Sequence, residues 1–347
     1  MTDLTRPLSA RVAAPIQLPM PDHTDVARWR AATSADIDAI WELEKAMARA
    51  DHPNTVPARE QMSEAFGFSF VNVASDSLVG LDADGRMVAY GLVVLEPGQQ
   101  TLVKSELGGG VLPEMRGRGI GRQLLNWQIG RAQQQLATSD ALLPGWIGAS
   151  CDERAPQSRR LYERAGLTCT RYFLMLDRLL AEPIREVTLA DGIRVAGYTS
   201  ELSAAVHAAK DSSFMDHWSS QPTPDESWNA FVTSATFVEE LSFVAFGTEP
   251  DGSERVVGFV MSCVNEEDWV AAGFRSSYIG LVGVLSDWRG NHIAQALLAA
   301  QLVASRAAGH ERATLDVDSA SPTGALGLYT GMGFFETNRE LAYVLEI

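Results

Sequence analysis

The stretch MRGRGIGRQLL at 115–125 is echoed by WRGNHIAQALL at 288–298. The pairing holds without gaps over GVLPEMRGRGIGRQLL and GVLSDWRGNHIAQALL, and again over RLYERAGL and GLYTGMGF. A chain that carries one pattern twice, in the same order, is read as an internal duplication. Any fold proposed for one half must therefore serve the other.

The length allows this. A chain of 347 residues exceeds what one core usually serves, and two domains of about 150 residues are expected. Hydrophobic residues make up 46% and charged residues 21%, so each half has the material for a core. No apolar run reaches the roughly 18 residues of a membrane span, so no membrane partner is expected. The net charge of −16 argues against a sequence-independent nucleic-acid binder, which needs a basic face, and is compatible with a cationic small molecule. Cys151, Cys169 and Cys263 are widely spaced, and the six histidines form no HxxxH pattern. Reduced thiols in a cytoplasm and no metal site are expected. Composition does not fix the oligomeric state.

Residues 1–26 contain four prolines and no continuous apolar core, so they read as a flexible leader. The first domain is expected over 27–178, a linker over 179–191 and the second domain over 192–347. In the first, Trp29–Ala32 reads as a strand and Ser34 as the cap of a helix reaching about Ala50. FSFVNVASD and MVAYGLVVLEPG read as strands, as does TLVKSELGGGVL. A long helix follows from about Gly117, then strand GWIGASC, helix PQSRRLYERAG and closing strand TRYFLMLD. The second half repeats the order from GIRVAGY through SSYIGLVGVL and GNHIAQALLAAQLVASRAAG to ELAYVLEI. The fold class expected is α/β (α+β), two tandem domains, each a mixed, mostly antiparallel sheet flanked by helices.

Both motifs follow a strand and open a helix. Glycine there lets the backbone turn sharply and approach a ligand. The free N–H groups of the first helical turn and the helix dipole then favour an anion. A Walker A loop is excluded, because no Gly-Lys-Ser/Thr is present. A dinucleotide fingerprint needs GxGxxG, whereas the spacing here is Gly117, Gly119, Gly121.

Arg116, Gly119 and Gly121 fill a pattern that resembles the acetyl-CoA pyrophosphate loop of the GNAT superfamily of N-acetyltransferases. The LYxxxGF helix that follows in that family is matched at Tyr162 and Tyr329. The tandem layout is similar to mycothiol synthase and related double proteins. The resemblance implies that acetyl-CoA, the acyl donor, is held by Arg116, Gly117, Arg118, Gly119, Ile120, Gly121 and Arg122. In the second copy the corresponding residues are Arg289, Gly290, Asn291, His292, Ile293 and Ala294, with His292 departing from glycine. It also implies that main-chain atoms of Gly109, Gly110 and Val111, and of Val282, Gly283 and Val284, take the pantetheine arm and acetyl carbonyl. Tyr329 and Tyr162 fall at the family's acid position, where a phenol protonates the leaving thiolate.

Direct attack of an amine on a thioester needs no nucleophilic side chain, only a neutral amine, an oriented carbonyl and an acid for the sulfur. Asp316 and Asp318 alternate along LDVDS and share one strand face, so either is a candidate base. Glu106 and Asp152 are the carboxylates available in the first domain. His217 and Trp218 are candidate acceptor-site residues. These readings add up to transfer of an acetyl group to the amine of a small, cationic molecule, with catalysis expected in the C-terminal domain. The alternatives are catalysis in the N-terminal domain beside a degenerate C-terminal copy, or a non-catalytic acyl-CoA sensor.

Overall fold

A computed structural model describes residues 4–51 and 56–347. The described residues divide into two units, 4–51 and 56–171 with 340–347, and 172–339. Each holds a mixed, mostly antiparallel sheet flanked by helices.

In the first unit the strands are β1 (Arg28–Arg30), β2 (Ser77–Leu81), β3 (Met87–Leu95), β4 (Val103–Val111) and β5 (Gly145–Asp152), followed in the sheet by β12 (Phe335–Glu346). All neighbours are antiparallel except β4 and β5. A parallel neighbour needs a crossover, and α4 (Ile120–Leu136) supplies it. The helices α1 (Ile37–Asp51), α2 (Arg59–Gly67), α3 (Val73–Asp76) and α5 (Pro156–Arg164) complete the unit.

The second unit repeats the pattern. β7 (Ile193–Gly197), β8 (Phe243–Thr248), β9 (Glu254–Cys263), β10 (Ser276–Val284) and β11 (Arg312–Asp318) run in order, with β6 (Thr168–Leu179) beside β11. Here too the one parallel pair is β10 with β11, joined by α9 (Ile293–Ala307). The other helices are α6 (Ser203–Ser213), α7 (Asp225–Thr233), α8 (Glu266–Ala272) and α10 (Ala325–Gly331).

The closing strands are exchanged. Sequence reading gave β6 to the first domain and β12 to the second. Instead Phe173–Leu179 pairs with β11 of the second unit, and Glu340–Glu346 pairs with β5 of the first. The contact division accordingly falls inside these two strands, at 171/172 and 339/340, and not at a linker over 179–191. Both strands alternate apolar residues, so either satisfies a neighbouring edge. Leu341 and Tyr343 are buried with Ala149 and Leu167, while Leu174 and Leu176 are buried with Leu315 and Val317.

Other expectations change locally. FSFVNVASD is not a strand. Its end forms α3, because the Asn72 amide donates to the Asp76 carboxylate at 2.7 Å and Arg131 holds that carboxylate at 2.8 Å. The start of α1 is organised by Thr33, whose N–H and hydroxyl both donate to Asp36, and not by Ser34. The leader is not loose over its described residues. Leu8 is fully buried, its amide donates to Ala141 O, and Leu18 lies against the bare Gly130 of α4.

Two outcomes follow from this packing. Leu8→Ala should cost about 2–5 kcal/mol, the usual range for emptying a buried leucine site, read as a lower denaturation midpoint. Removing residues 340–347 should open the first unit to limited proteolysis within residues 28–171, because β5 loses its antiparallel neighbour.

Candidate active site

The site in the first unit begins where two parallel strands part. β4 and β5 pair from Val103/Gly145 to Leu107/Ala149 and no further, although β4 continues to Val111 and β5 to Asp152. Past that point lie Gly108, Gly109 and Gly110. Gly109 takes φ +99°, and a Cβ there would sit 2.2 Å from Tyr90 O, so only glycine permits this close approach to β3.

The loop after β4 is anchored by Arg116. Its Nε donates to Val111 O at 3.0 Å and its two terminal nitrogens grip Asp51 at 2.6 and 2.7 Å. The Arg116 guanidinium thereby joins the strand end to α1. Gly117 and Gly119 adopt φ +78° and +102°. This turns the amides from Gly117 to Gly121 away from any acceptor among the described residues. Arg122 is exposed beside them and likewise has no partner among the described residues. Arg118 is engaged at its carbonyl by His23 Nε2, 2.9 Å away. The Asp25 amide donates to His23 Nδ1, which leaves the proton on Nε2 for Arg118. Unpaired amides, absent side chains and a neighbouring cation fit a diphosphate, so the cradle fits acetyl-CoA.

The second unit carries the same clamp in looser form. Arg289 Nε donates to Val284 O at 3.3 Å and its terminal nitrogens reach Ser213 O and Asp216. The amides from Gly290 to Ala294 have no acceptor among the described residues. His292 takes φ +59° where the first copy has Gly119, and Gln295 stands in the place of Arg122. β10 and β11 pair only from Ser276/Arg312 to Tyr278/Thr314, so Val282, Gly283 and Val284 also lie past a parting.

The candidate acids and bases are disposed differently in the two units. Tyr162 is partly exposed, donates to Ser150 O at 3.3 Å and packs on Tyr343. Burial pushes its phenol above the usual value, so it is protonated at neutral pH. Tyr329 is buried against Phe334, and burial raises it to about 12. Asp316 accepts from the Tyr278 hydroxyl at 3.0 Å. Asp318 is buried and accepts from the Ala320 amide, two residues on. Asp152 makes the same turn with Arg154, so both aspartates shape turns. Glu106 pairs with Lys104 at 2.5 Å and lies over Gly148. His217 stacks on Phe214, and Trp218 packs against Phe173.

One carboxylate escaped sequence reading. Glu44 of α1 occupies a helical stripe with Ile37, Ile40, Met47 and Asp51, a spacing that signals a buried face. Burial raises its carboxyl to about 7. Its presence between Ile40 and Met47 on that face was the available signal.

The acetyltransferase (GNAT) family matches residues 37–167 and again residues 204–334. The chain belongs to the GNAT acetyltransferase family. Among solved structures it is similar to a GCN5-related N-acetyltransferase from Sphaerobacter thermophilus, with 24% identity, TM-score 0.68, and 92% of this chain and 95% of that one covered. A tandem GNAT protein from the clavulanic acid biosynthesis pathway gives 15% identity, TM-score 0.64, and coverage of 92% and 98%. An N-myristoyltransferase from Saccharomyces cerevisiae, solved with bound myristoyl-CoA, gives 10%, 0.61, 97% and 82%. Among curated proteins no relative matches the sequence significantly. No helix among the described residues is long and apolar enough to cross a membrane, and none of their His, Cys, Asp and Glu side chains form a group of three able to hold a metal.

A carboxylate placed against the loop should repel a diphosphate. Gly119→Asp is expected to weaken acetyl-CoA binding at least tenfold by calorimetry, with a smaller loss for Arg122→Ala.

Proposed function

We propose that this protein is an acetyl-CoA-dependent N-acetyltransferase acting on a small amine, with the transfer site in the N-terminal unit. The observation that carries the choice of unit is the face of each sheet beneath α1 and α6. A Cβ on Gly110 would meet Met47 Sδ at 2.7 Å, and one on Gly283 would meet Ser213 Oγ at 2.5 Å. These contacts set the two copies in register. Two residues earlier on the strand, the first copy has Gly108, where a Cβ would meet nothing within 4 Å, and the second has Leu281. One turn earlier on the helix, the first has Glu44 and the second Lys210.

In the second unit this ground is filled. Lys210 is buried and donates to Thr223 Oγ1 and Gln221 O. His207 Nε2 lies 2.9 Å from Thr223 O, and the Thr223 amide donates to Asp211. Residues 217–223 are thus held against α6. The first unit keeps the open strand face, the loop with both glycines and the unpaired Arg122. This reverses the preference for the C-terminal domain drawn from the paired aspartates and Tyr329. A second reading applies to the C-terminal unit alone, which retains loop amides and can bind an acyl-CoA without turning it over.

In the transfer, the strand end at Gly109–Val111 orients the acyl carbonyl and Tyr162 protonates the leaving thiolate. Cys151, on β5 beside the parting, is pushed up to about 12 by burial, so a thiolate nucleophile is not part of this reading. The free thiols suit a cytoplasmic setting.

Tyr162→Phe keeps the ring and removes the acid. It should lower kcat by about 10²–10⁴-fold with little change in acetyl-CoA affinity, whereas Tyr329→Phe should change kcat less than threefold or so. Steady-state rates on a panel of primary amines check both, and the opposite ranking returns the active site to the C-terminal unit.

A further inference from the structure

The geometry points to Glu44 as the base that takes the proton from the acceptor's ammonium group, a role that rests on the N-terminal unit being the transfer site. The placement follows from two contacts along α1. Met47 lies over Gly110, and Asp51 binds Arg116 just beyond Val111. Advancing along the helix therefore advances along β4 in the same sense. Stepping back one turn from Met47 moves about 4.5 Å along the helix, and stepping back two residues from Gly110 moves about 6.7 Å along the strand. Glu44 is thereby carried toward Gly108, the first residue past the last β4/β5 pair.

Gly108 offers no side chain, and a Cβ there would meet nothing within 4 Å. The free space, the parting of the strands and the helix position of Glu44 thus fall at one level of β4. Tyr90 lies opposite Gly110 in the register of β3 and β4, and its phenol is raised both by burial and by the charge of Glu44. Tyr162, the proposed acid, also feels that charge. Glu44 has no hydrogen-bond or ion-pair partner among the described residues, unlike Glu106, which Lys104 neutralises. A carboxylate without a cation among the described residues, one helical turn from the residue that covers Gly110, is arranged to receive one. The C-terminal copy makes the same point in reverse, with an ammonium at the equivalent position and a leucine in the space.

The proton inventory closes. The acceptor R–NH3⁺ gives one proton to the Glu44 carboxylate, which later passes it to solvent. The free amine forms the N–C bond with the acetyl thioester and the C–S bond breaks. The thiolate takes the Tyr162 proton, and the phenol is restored by the second proton lost from nitrogen. The products are the acetamide, CoA thiol and one released proton. The acceptor class is a primary amine presenting a single ammonium head group.

The charged and titratable groups on the elements packed against α1 are Tyr90 of β3, Lys104 and Glu106 of β4, Arg59, Glu60 and Glu64 of α2, Glu114 in the turn after β4 and Asp36 before the helix, with Asp38, Glu42, Lys45, Arg49 and the Asp51–Arg116 pair at α1 itself and Tyr162 of α5 within reach of its charge. A folded-state carboxyl raised to about 7 is ionised only as pH passes that value. Activity should therefore rise through pH 7. Stability has the opposite sign. The folded protein holds this proton more tightly than the unfolded chain, so stability is lost as pH rises from the ordinary carboxyl value to about 7.

The test uses the full chain with acetyl-CoA and a panel of primary amines that includes phenethylamine, hexylamine and glucosamine. Glu44→Gln should lower kcat by about 10²–10⁴-fold, abolish the rise through pH 7 and leave acetyl-CoA affinity unchanged by calorimetry. Its melting temperature should exceed the parent's by more at pH 8 than at pH 5, a readout independent of turnover. Gly108→Leu, which fills the space in the manner of Leu281, should raise KM for the amine with acetyl-CoA affinity retained. An unchanged rate and pH profile in Glu44→Gln, while Gly119→Asp abolishes turnover, overturns the role of Glu44 and leaves the site assignment standing. Full turnover in Gly119→Asp overturns both.

Discussion

The Arg116 clamp is the interaction on which the first unit's site depends. One guanidinium ties the end of β4, through Val111 O, to the end of α1, through Asp51. Beyond Leu107 the strand has lost its parallel neighbour, so a fixed helix on one face and Gln128 of α4, which donates to Gly108 O at 2.7 Å, replace the missing ladder. Without such supports the separated strand ends would carry unpaired backbone into a cleft. With them the cleft is held open and its glycines remain accessible. The same clamp recurs at Arg289 with longer contacts, which ties the two copies to one design.

What distinguishes the copies is small in residue count and large in chemistry. Replacing Gly108 by Leu281 fills a space, and replacing Glu44 by Lys210 reverses a charge. Once the lysine is present it is satisfied by Thr223 and Gln221, so residues 221–223 are held against α6. The substitution of His292 for glycine, by contrast, is absorbed. The histidine takes the left-handed conformation and its amide still faces outward. Such strain in a non-glycine residue carries a cost, but the amide row survives it. A filled strand face at Leu281, rather than loss of the amide row, separates the second copy from the first.

The leader adds a second support to the loop. Leu8 fills the space above Gly145, whose Cβ would stand 2.5 Å from Leu8 Cδ1, and His23 reaches the Arg118 carbonyl. A segment rich in proline loses little entropy on ordering, so a few contacts are enough to seat it. Its composition reads as disorder because those contacts are with α4, β5 and the loop, far away in sequence.

The amino-acid sequence alone determined the duplication, the order of most strands, the positions of both loops with their helices and the family they belong to. These are local properties: a glycine that must take positive φ, a helix that must start where the amides are free, an apolar period that marks a buried face. Glu44 was legible only as an odd charge in that period, and Arg116 only as a loop cation. Asp51, which Arg116 grips, lies 65 residues away in the chain, and no local pattern encodes such a meeting. Tertiary structure decided three things. It settled which closing strand pairs with β5 and which with β11, because an antiparallel edge accepts any strand that offers an alternating apolar face. It turned Asp318 and Asp152 into turn-makers, because each carboxylate finds an amide two residues on. It also tied Lys210 to Thr223 and Gln221 in one copy and left the strand at Gly108 uncovered in the other, because that outcome depends on what stands opposite a helix position.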